Sequence, residues 1–138
     1  MTKIVTDTGF ASDTWENGFT PVAAANTTQS AVDLESDFDP NSADDTVLSA
    51  PMIRIDFPTF ADGRGFTLAA QLRQLGYQGR LRAKGHVLAD QYAMARRAGF
   101  DEVEIDDTLA QRQPQDQWLR RANWRDHDYQ ARLRVKVS

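Results

Sequence analysis

A strand–helix pattern occurs twice in the middle of this chain with the same spacing, and it constrains the fold more than any other feature. Met52–Phe57 is rich in β-branched residues and stops before Pro58, which is typical of a strand. The helical stretch that follows closes at Gly76, and a second one closes 23 residues later at Gly99. Because a glycine just past a helix lets the chain turn in a left-handed conformation, both positions predict a helix end followed by a new strand.

The strands that follow these glycines are predicted at Arg80–Ala83 and Glu102–Ile105. Strands joined by helical crossovers lie parallel, because right-handed connections return each strand in the same direction. The sequence therefore predicts an α/β fold, with a small open and mostly parallel sheet. Its centre is a βαβαβ unit over about residues 52–106.

The apolar spacing of the first helix predicts what packs on this sheet. Leu68, Leu72 and Leu75 recur at i, i+4 and i+7, which is the pattern of one helix face. We expect all three leucines to be buried against apolar residues of the strands, namely Ile53, Ile55, Leu81 and Ile105.

The first part of the chain, residues 1–51, is acidic and weakly patterned. Short irregular strands are predicted at Lys3–Val5, Phe19–Ala24 and Val32–Leu34. The polar stretch Ser36–Asp45 predicts a loop, alone or with a short helical turn.

The last part, residues 107–138, completes a predicted single domain of 138 residues. Gln115–Trp124 predicts a short helix. From Tyr129 to Val137 apolar residues alternate with polar and cationic ones, a period of two that favours an edge strand.

Charge is divided unevenly along the chain, although the formal net charge is only −4. Residues 1–51 hold one lysine against nine carboxylates, whereas the segment from Gly63 to Ala98 holds seven lysines and arginines and one acid, Asp90. This asymmetry predicts an anionic ligand or partner, or else solvated helix faces balanced by the acidic N-terminal part. A sequence pI near 5.1 disfavours nucleic acid as the partner.

The chain contains no cysteine, which excludes disulfide, dithiol and cysteine–zinc chemistry. It also lacks the glycine fingerprints of dinucleotide-binding and P-loop proteins. We therefore expect no cofactor, meaning no flavin, no iron and no stoichiometric zinc. The N-terminus lacks the apolar core of a secretory signal, and no apolar run is long enough for a membrane span. These features predict a cytoplasmic protein without a membrane partner.

Polar residues are concentrated at the ends of the three predicted central strands, the third of which ends at Asp106 and Asp107. Ligands of open α/β sheets bind at the carboxyl ends of parallel strands. Glycines there let the backbone approach a ligand, and an arginine adds a planar, bidentate donor. The candidate anion- or ligand-binding residues are Asp62, Gly63, Arg64, Gly65, Lys84, His86, Asp90 and Gln91.

The same residues also have structural interpretations. Asp62 would cap the following helix while Arg64 pairs with a carboxylate at the sheet edge. If Arg64, Lys84 and His86 converge, either Asp62 and Asp90 neutralise them or an external anion does. His86 is a candidate general acid–base, although a histidine without a known partner is more often a cap or a surface residue. His127 lies between two aspartates, where a solvated turn is favoured over a weak metal site. No metal site and no catalytic residue are assigned.

Three segments in this region carry a family resemblance. The sequences FPTFADGRGF, GRLRAKGHVLADQ and RRAGFD, in this order within residues 53–105, resemble a bacterial family of unknown function. Its members are described as probable oxidoreductases involved in sulfite reduction, with genes that neighbour assimilatory sulfite reductase. The chain departs from the family at Arg80, where an acidic residue is more usual, and at Ala98, where a cysteine is.

The resemblance implies a pathway and leaves two functions open. The first is an accessory protein of assimilatory sulfite or sulfate reduction that docks on sulfite reductase or its electron donor. The second is a small enzyme or ligand-binding domain with an oxoanion site at Arg64, Lys84 and His86.

Overall fold

A computed structural model describes residues 2–22 and 31–124, and these fold as strands and helices around one sheet. The strands of the described part are β1 (Thr2–Thr6), β2 (Gly9–Ala11), β3 (Phe19–Pro21), β4 (Ala31–Glu35), β5 (Met52–Phe57), β6 (Arg80–Gly85) and β7 (Glu102–Asp106). The helices are α1 (Asp45–Leu48), α2 (Arg64–Gln74), α3 (Tyr92–Ala98), α4 (Asp107–Arg112) and α5 (Gln115–Leu119). In the described ranges, none of these helices is long and apolar enough to cross a membrane.

The seven strands form one open mixed sheet in the order β2-β1-β7-β6-β5-β4-β3. The five strands from β3 to β7 run parallel, and β1 pairs antiparallel with both β7 and β2. The predicted α/β fold with a mostly parallel sheet is therefore confirmed, and so are the three parallel strands of its centre. The strand β2 was not predicted from the sequence, because three residues around a glycine carry too little pattern.

The strand order places the helices on one side of the sheet. From β4 to β7 each strand lies next to the strand before it, so every crossover steps in the same direction. Right-handed crossovers that all step one way lie on one face of a sheet. That face holds the main core, in which Ile53, Ile55 and Phe57 are at most 1% exposed. The opposite face, which we call the polar face, carries the alternate residues of each strand.

The predicted packing of α2 is confirmed at two of its three leucines. Leu68 and Leu72 are 2% and 0% exposed, whereas Leu75 is 49% exposed, so the prediction for Leu75 was wrong. The helix ends at Gln74, and Tyr77 fills the core below its last turn, donating its hydroxyl proton to the carbonyl of Ala50 at 3.0 Å. Leu75 thus lies at the helix cap, outside the packed face.

The two glycines that define the sequence repeat occupy equivalent turns. Gly76 and Gly99 have φ of +100° and +113°, the left-handed region that glycine enters without steric cost. After each glycine, the aromatic amide donates back to a carbonyl five residues earlier, from Tyr77 to Leu72 and from Phe100 to Ala95. This is the predicted helix termination, made twice.

The flanking segments follow the predictions in part. Strands lie at the three N-terminal positions expected, although Ala23 and Ala24 are outside the described residues. The loop before β5 contains one helical turn at Pro40–Ser42 and the short helix α1. Helix α5 ends at Leu119, so the expected helix over Gln115–Trp124 is shorter than predicted. The predicted edge strand at residues 129–137 and His127 also lie outside the described residues.

Candidate functional site

Charged residues form rows across the polar face, because neighbouring parallel strands are in register. One row runs through Asp33, Arg54, Arg82 and Glu102 on β4 to β7. The next row toward the carboxyl ends runs through Glu35, Asp56, Lys84 and Glu104. Adjacent strands are about 4.8 Å apart, so each of these side chains has a charged neighbour.

Arg82 is the centre of the first row and is completely buried. Its Nε donates to Glu102 Oε2 at 2.6 Å, and its Nη1 donates to Glu104 Oε1 at 2.8 Å. Asp13, from the segment between β2 and β3, accepts two further bonds at 2.9 and 3.0 Å. Burial by itself lowers the pKa of Arg82, but the hydrogen bonds to Asp13 and Glu104 and the charge of Glu102 outweigh it and hold that pKa above its ordinary value.

Arg54 occupies the same row one strand away and is also neutralised within the chain. It donates to both carboxylate oxygens of Asp33, at 2.6 and 2.9 Å, and lies 3.2 Å from Glu104 Oε1. The guanidinium of Arg54 stacks on the ring of Phe19, with its Cζ 3.5 Å from the ring centroid. This stacking and these ion pairs hold the segment containing β3 against the polar face.

The uneven distribution of charge along the sequence is balanced inside the folded chain. Acids of the N-terminal part pair with bases from later strands and helices: Asp13 with Arg82, Asp33 with Arg54, and Asp7 with Arg96 at 3.3 Å. Arg73 donates to the carbonyls of Tyr77, Gly79 and Gly99. The acidic N-terminal part therefore balances later bases, as the second interpretation of the charge asymmetry expected. Two of these pairs, at Arg54 and Arg82, lie on a largely buried sheet face and not on solvated helix faces, so that part of the interpretation was wrong.

The predicted anion site begins with an internal ion pair. Arg64 donates through Nη2 and Nε to Asp62 at 2.8 and 3.0 Å, and Ser36 donates its hydroxyl proton to the same carboxylate at 2.7 Å. The hydrogen bonds from Arg64 and Ser36 lower the pKa of Asp62 well below its usual range. Gly63 is the residue before the first turn of α2 and has no side chain to cap it. Gly65 lies so close to the Phe57 ring that a Cβ would overlap it.

The other predicted residues are divided between the polar face, where Lys84 lies, and the loops around Phe60, which His86 and Gln91 both contact. Lys84 is on the polar face, in the row with Asp56. His86 is the first residue after β6. Its Nδ1 donates to the carbonyl of Phe57 at 3.0 Å, and its ring contacts Phe60 edge-on. The cavities that Arg64, Lys84 and His86 line are three different ones.

Asp90 and Gln91 both have partners within the chain. Asp90 accepts a hydrogen bond from Arg121 at 3.0 Å. Gln91 accepts one from the Leu88 amide at 2.8 Å and donates one to the carbonyl of Phe60 at 3.0 Å. Gln91 therefore stabilises the entry to α3, whereas Asp90 forms an exposed ion pair with the segment after α5. The eight predicted residues do not surround a common pocket.

A larger cleft lies on the polar face at the carboxyl ends of β4, β5 and β6, and we call it the β4–β6 cleft. Its volume is about 540 Å³. It is lined by Pro21, Val22, Asp33, Leu34, Glu35, Asp37, Phe38, Arg54, Asp56 and Lys84. A smaller cavity of about 240 Å³ shares Glu35, Asp37 and Asp56 with it and includes Arg64. Within the described ranges, no group of three or more His, Asp or Glu is placed to hold a metal ion.

Of the residues that line the cleft, sequence reasoning singled out only Lys84. The available signal was the alternation of apolar and charged residues in β4 to β7, which marks strands with only one apolar face. That alternation identifies which residues share the polar face, although not which of them remain without a partner.

Oxoanion binding by the predicted residues remains a prediction, and Arg64 offers its direct test. Titration of the protein with sulfite, sulfate and phosphate, followed by NMR, should shift the amides of residues 63–66 if Arg64 takes an external anion. Those shifts should be absent in Arg64→Ala, with the fold intact. The guanidinium of Arg64 is already hydrogen-bonded to Asp62. An absence of shifts at about millimolar anion would therefore mean that Arg64 has only a structural role.

Comparison with known proteins connects the chain to one family. Residues 31–137 match the sequence model of DUF934, described as a bacterial protein of unknown function. The match begins at β4 and includes the whole central βαβαβ unit. No curated protein and no solved structure matches the chain.

Proposed function

We propose a function for this chain, which belongs to DUF934, a bacterial family of unknown function. It is an accessory protein of assimilatory sulfite reduction. In this role it docks on sulfite reductase or on that enzyme's electron donor and carries no cofactor of its own. The pathway rests on the resemblance of the segments at residues 57–66, 79–91 and 96–101 to proteins described as taking part in sulfite reduction.

The observation that supports a binding role is the structural part that the residues of those three segments play. Gly65 packs on Phe57, Gln91 joins two loops, and Arg82 is buried among carboxylates. These residues build and stabilise the sheet and its connections, and they do not converge as acid, base and nucleophile on one cavity. A scaffold of this kind is suited to presenting a surface to a partner.

The proposal predicts a physical complex. Tagged protein purified from a native bacterial lysate after sulfate-limited growth should retain sulfite reductase or its electron donor. The same protein from sulfate-replete cells should retain less, because assimilatory enzymes are then scarce. The tag alone is the control for non-specific capture. Recovery of neither enzyme, at a bait concentration above the micromolar range typical of transient complexes, would refute docking.

A second candidate function, a ligand-binding domain, is favoured by the β4–β6 cleft. It lies at the carboxyl ends of three parallel strands, the usual position of ligands in open α/β sheets. This function does not need the complex described above, and the two are tested by different experiments.

A further inference from the structure

The shape of the β4–β6 cleft fits a small molecule. Its volume of about 540 Å³ lies within the range of about 300–1,000 Å³ found for small-molecule sites. The ion pair between Arg54 and Asp33 forms part of its wall. Two short hydrogen bonds join the pair, and Arg54 is also bonded to Glu104 on β7. A wall that is fixed in this way does not need to reorganise when a ligand enters.

The cleft contains more negative than positive charge. Glu35 and Asp56 are register neighbours on β4 and β5, and Asp37 follows two residues after Glu35. All three are exposed to solvent. Among the described residues no ion pair within 4.0 Å joins any of the three to a cation, while Arg54 is already paired with Asp33 and Glu104. Lys84 is the register neighbour of Asp56. Arg64, which is paired with Asp62, lines the adjoining smaller cavity.

One side of the cleft is apolar. Pro21 and Val22 come from β3 and the residue after it, and Phe38 is in the loop after β4. Pro21 is exposed, and Val22 and Phe38 are half-buried. The side chain of Leu34 is not part of this wall, because Leu34 is the register neighbour of Ile55 and is buried in the main core on the other face of the sheet. An apolar wall beside carboxylates favours a ligand that is amphipathic, with a hydrocarbon part and a charged end.

We propose that the β4–β6 cleft binds a small organic cation, in which an ammonium or guanidinium group contacts Asp56 and Glu35 and an apolar part packs on Pro21 and Phe38. Three accessible carboxylates against one lysine favour a cationic nitrogen over an oxoanion, because like charges in the cleft would repel the latter. Guanidinium and ammonium groups form charge-assisted hydrogen bonds to carboxylates, which are stronger than neutral ones. The proposal does not depend on docking to sulfite reductase.

Agmatine is a suitable probe, because it has a guanidinium and an ammonium on a short hydrocarbon chain. Titration followed by NMR should shift the backbone amides at the ends of β4, β5 and β6, and glutarate, a dianion of similar length, should leave them unchanged. Asp56→Asn should weaken agmatine binding about tenfold or more, as expected for a lost charged hydrogen bond. The matched control is Asp116→Asn, an exposed aspartate on α5, which should bind agmatine as the unmodified protein does.

A second variant tests the apolar wall separately. Phe38→Ala should weaken agmatine binding while leaving the charges of the cleft intact. The proposal is overturned if agmatine at about 10 mM shifts no amide near the cleft, if Asp56→Asn binds it equally well, or if glutarate produces the same shifts. Tighter binding of the capped peptide acetyl-Ala-Arg-Ala-amide than of agmatine would overturn the small-molecule assignment in favour of an arginine from a partner protein.

Discussion

Replacement of Arg82 by methionine is expected to lower the free energy of unfolding by about 3–5 kcal/mol. Arg82 is completely buried, and Glu102 and Glu104, each with a side chain only 6% exposed, lie within hydrogen-bonding distance of it. Methionine fills a similar volume but leaves two buried carboxylates with less compensation, which is the costly way to break a buried ion pair. Urea denaturation at neutral pH, followed by circular dichroism, measures the loss.

Two further variants identify the cause of that loss. Arg120→Met removes an exposed arginine from its pair with Asp116, and it should change stability by less than about 0.5 kcal/mol. In the Arg82→Met background, Glu104→Gln should recover part of the lost stability, because it removes a buried charge. A loss below about 1 kcal/mol for Arg82→Met would mean that the polar face is more hydrated than its burial indicates.

The second large effect is expected at Leu72, where substitution by alanine should cost about 2–5 kcal/mol. Leu72 is 0% exposed and lies in the main core between α2 and the sheet. Removing its isobutyl group deletes apolar contacts and leaves a cavity that the surrounding strands cannot close fully. Thermal and urea denaturation should both show the loss.

Leu75 provides the matched control on the same helix. It was expected from its spacing to be equivalent to Leu72, but it is 49% exposed. Leu75→Ala should therefore change stability by no more than about 0.5 kcal/mol. Equal losses for the two substitutions would contradict the helix end seen at Gln74 and the position of Tyr77 below it.

The candidate site was less predictable than the fold. The glycines and Arg64 were correctly recognised as lying at the start of a helix, but the sequence left open whether Asp62, two residues before Arg64, or an external anion neutralises the guanidinium. Nor does it reveal that Lys84 and His86, separated by a single glycine, line different cavities. Proximity along the chain says little about side-chain direction where a strand ends and the backbone turns.

The central α/β unit was determined by the sequence alone, for local physical reasons. The period of the leucines in α2, the two glycines that end the helices and the β-branched run of β5 each act within a few residues. Local rules of this kind require no knowledge of the rest of the chain. The parallel direction of the strands then follows from the handedness of their crossovers.

Only the tertiary structure decided which charged residues pair with one another. The acids near the N-terminus and the arginines of the later strands are separated by tens of residues, as Asp13 is from Arg82. Whether they meet depends on the strand order, on the side of the sheet that the helices occupy, and on the path of the segment before β3. Coulomb interactions act through space and have no sequence period, so the buried charge network and the cleft beside it became visible only in the folded chain.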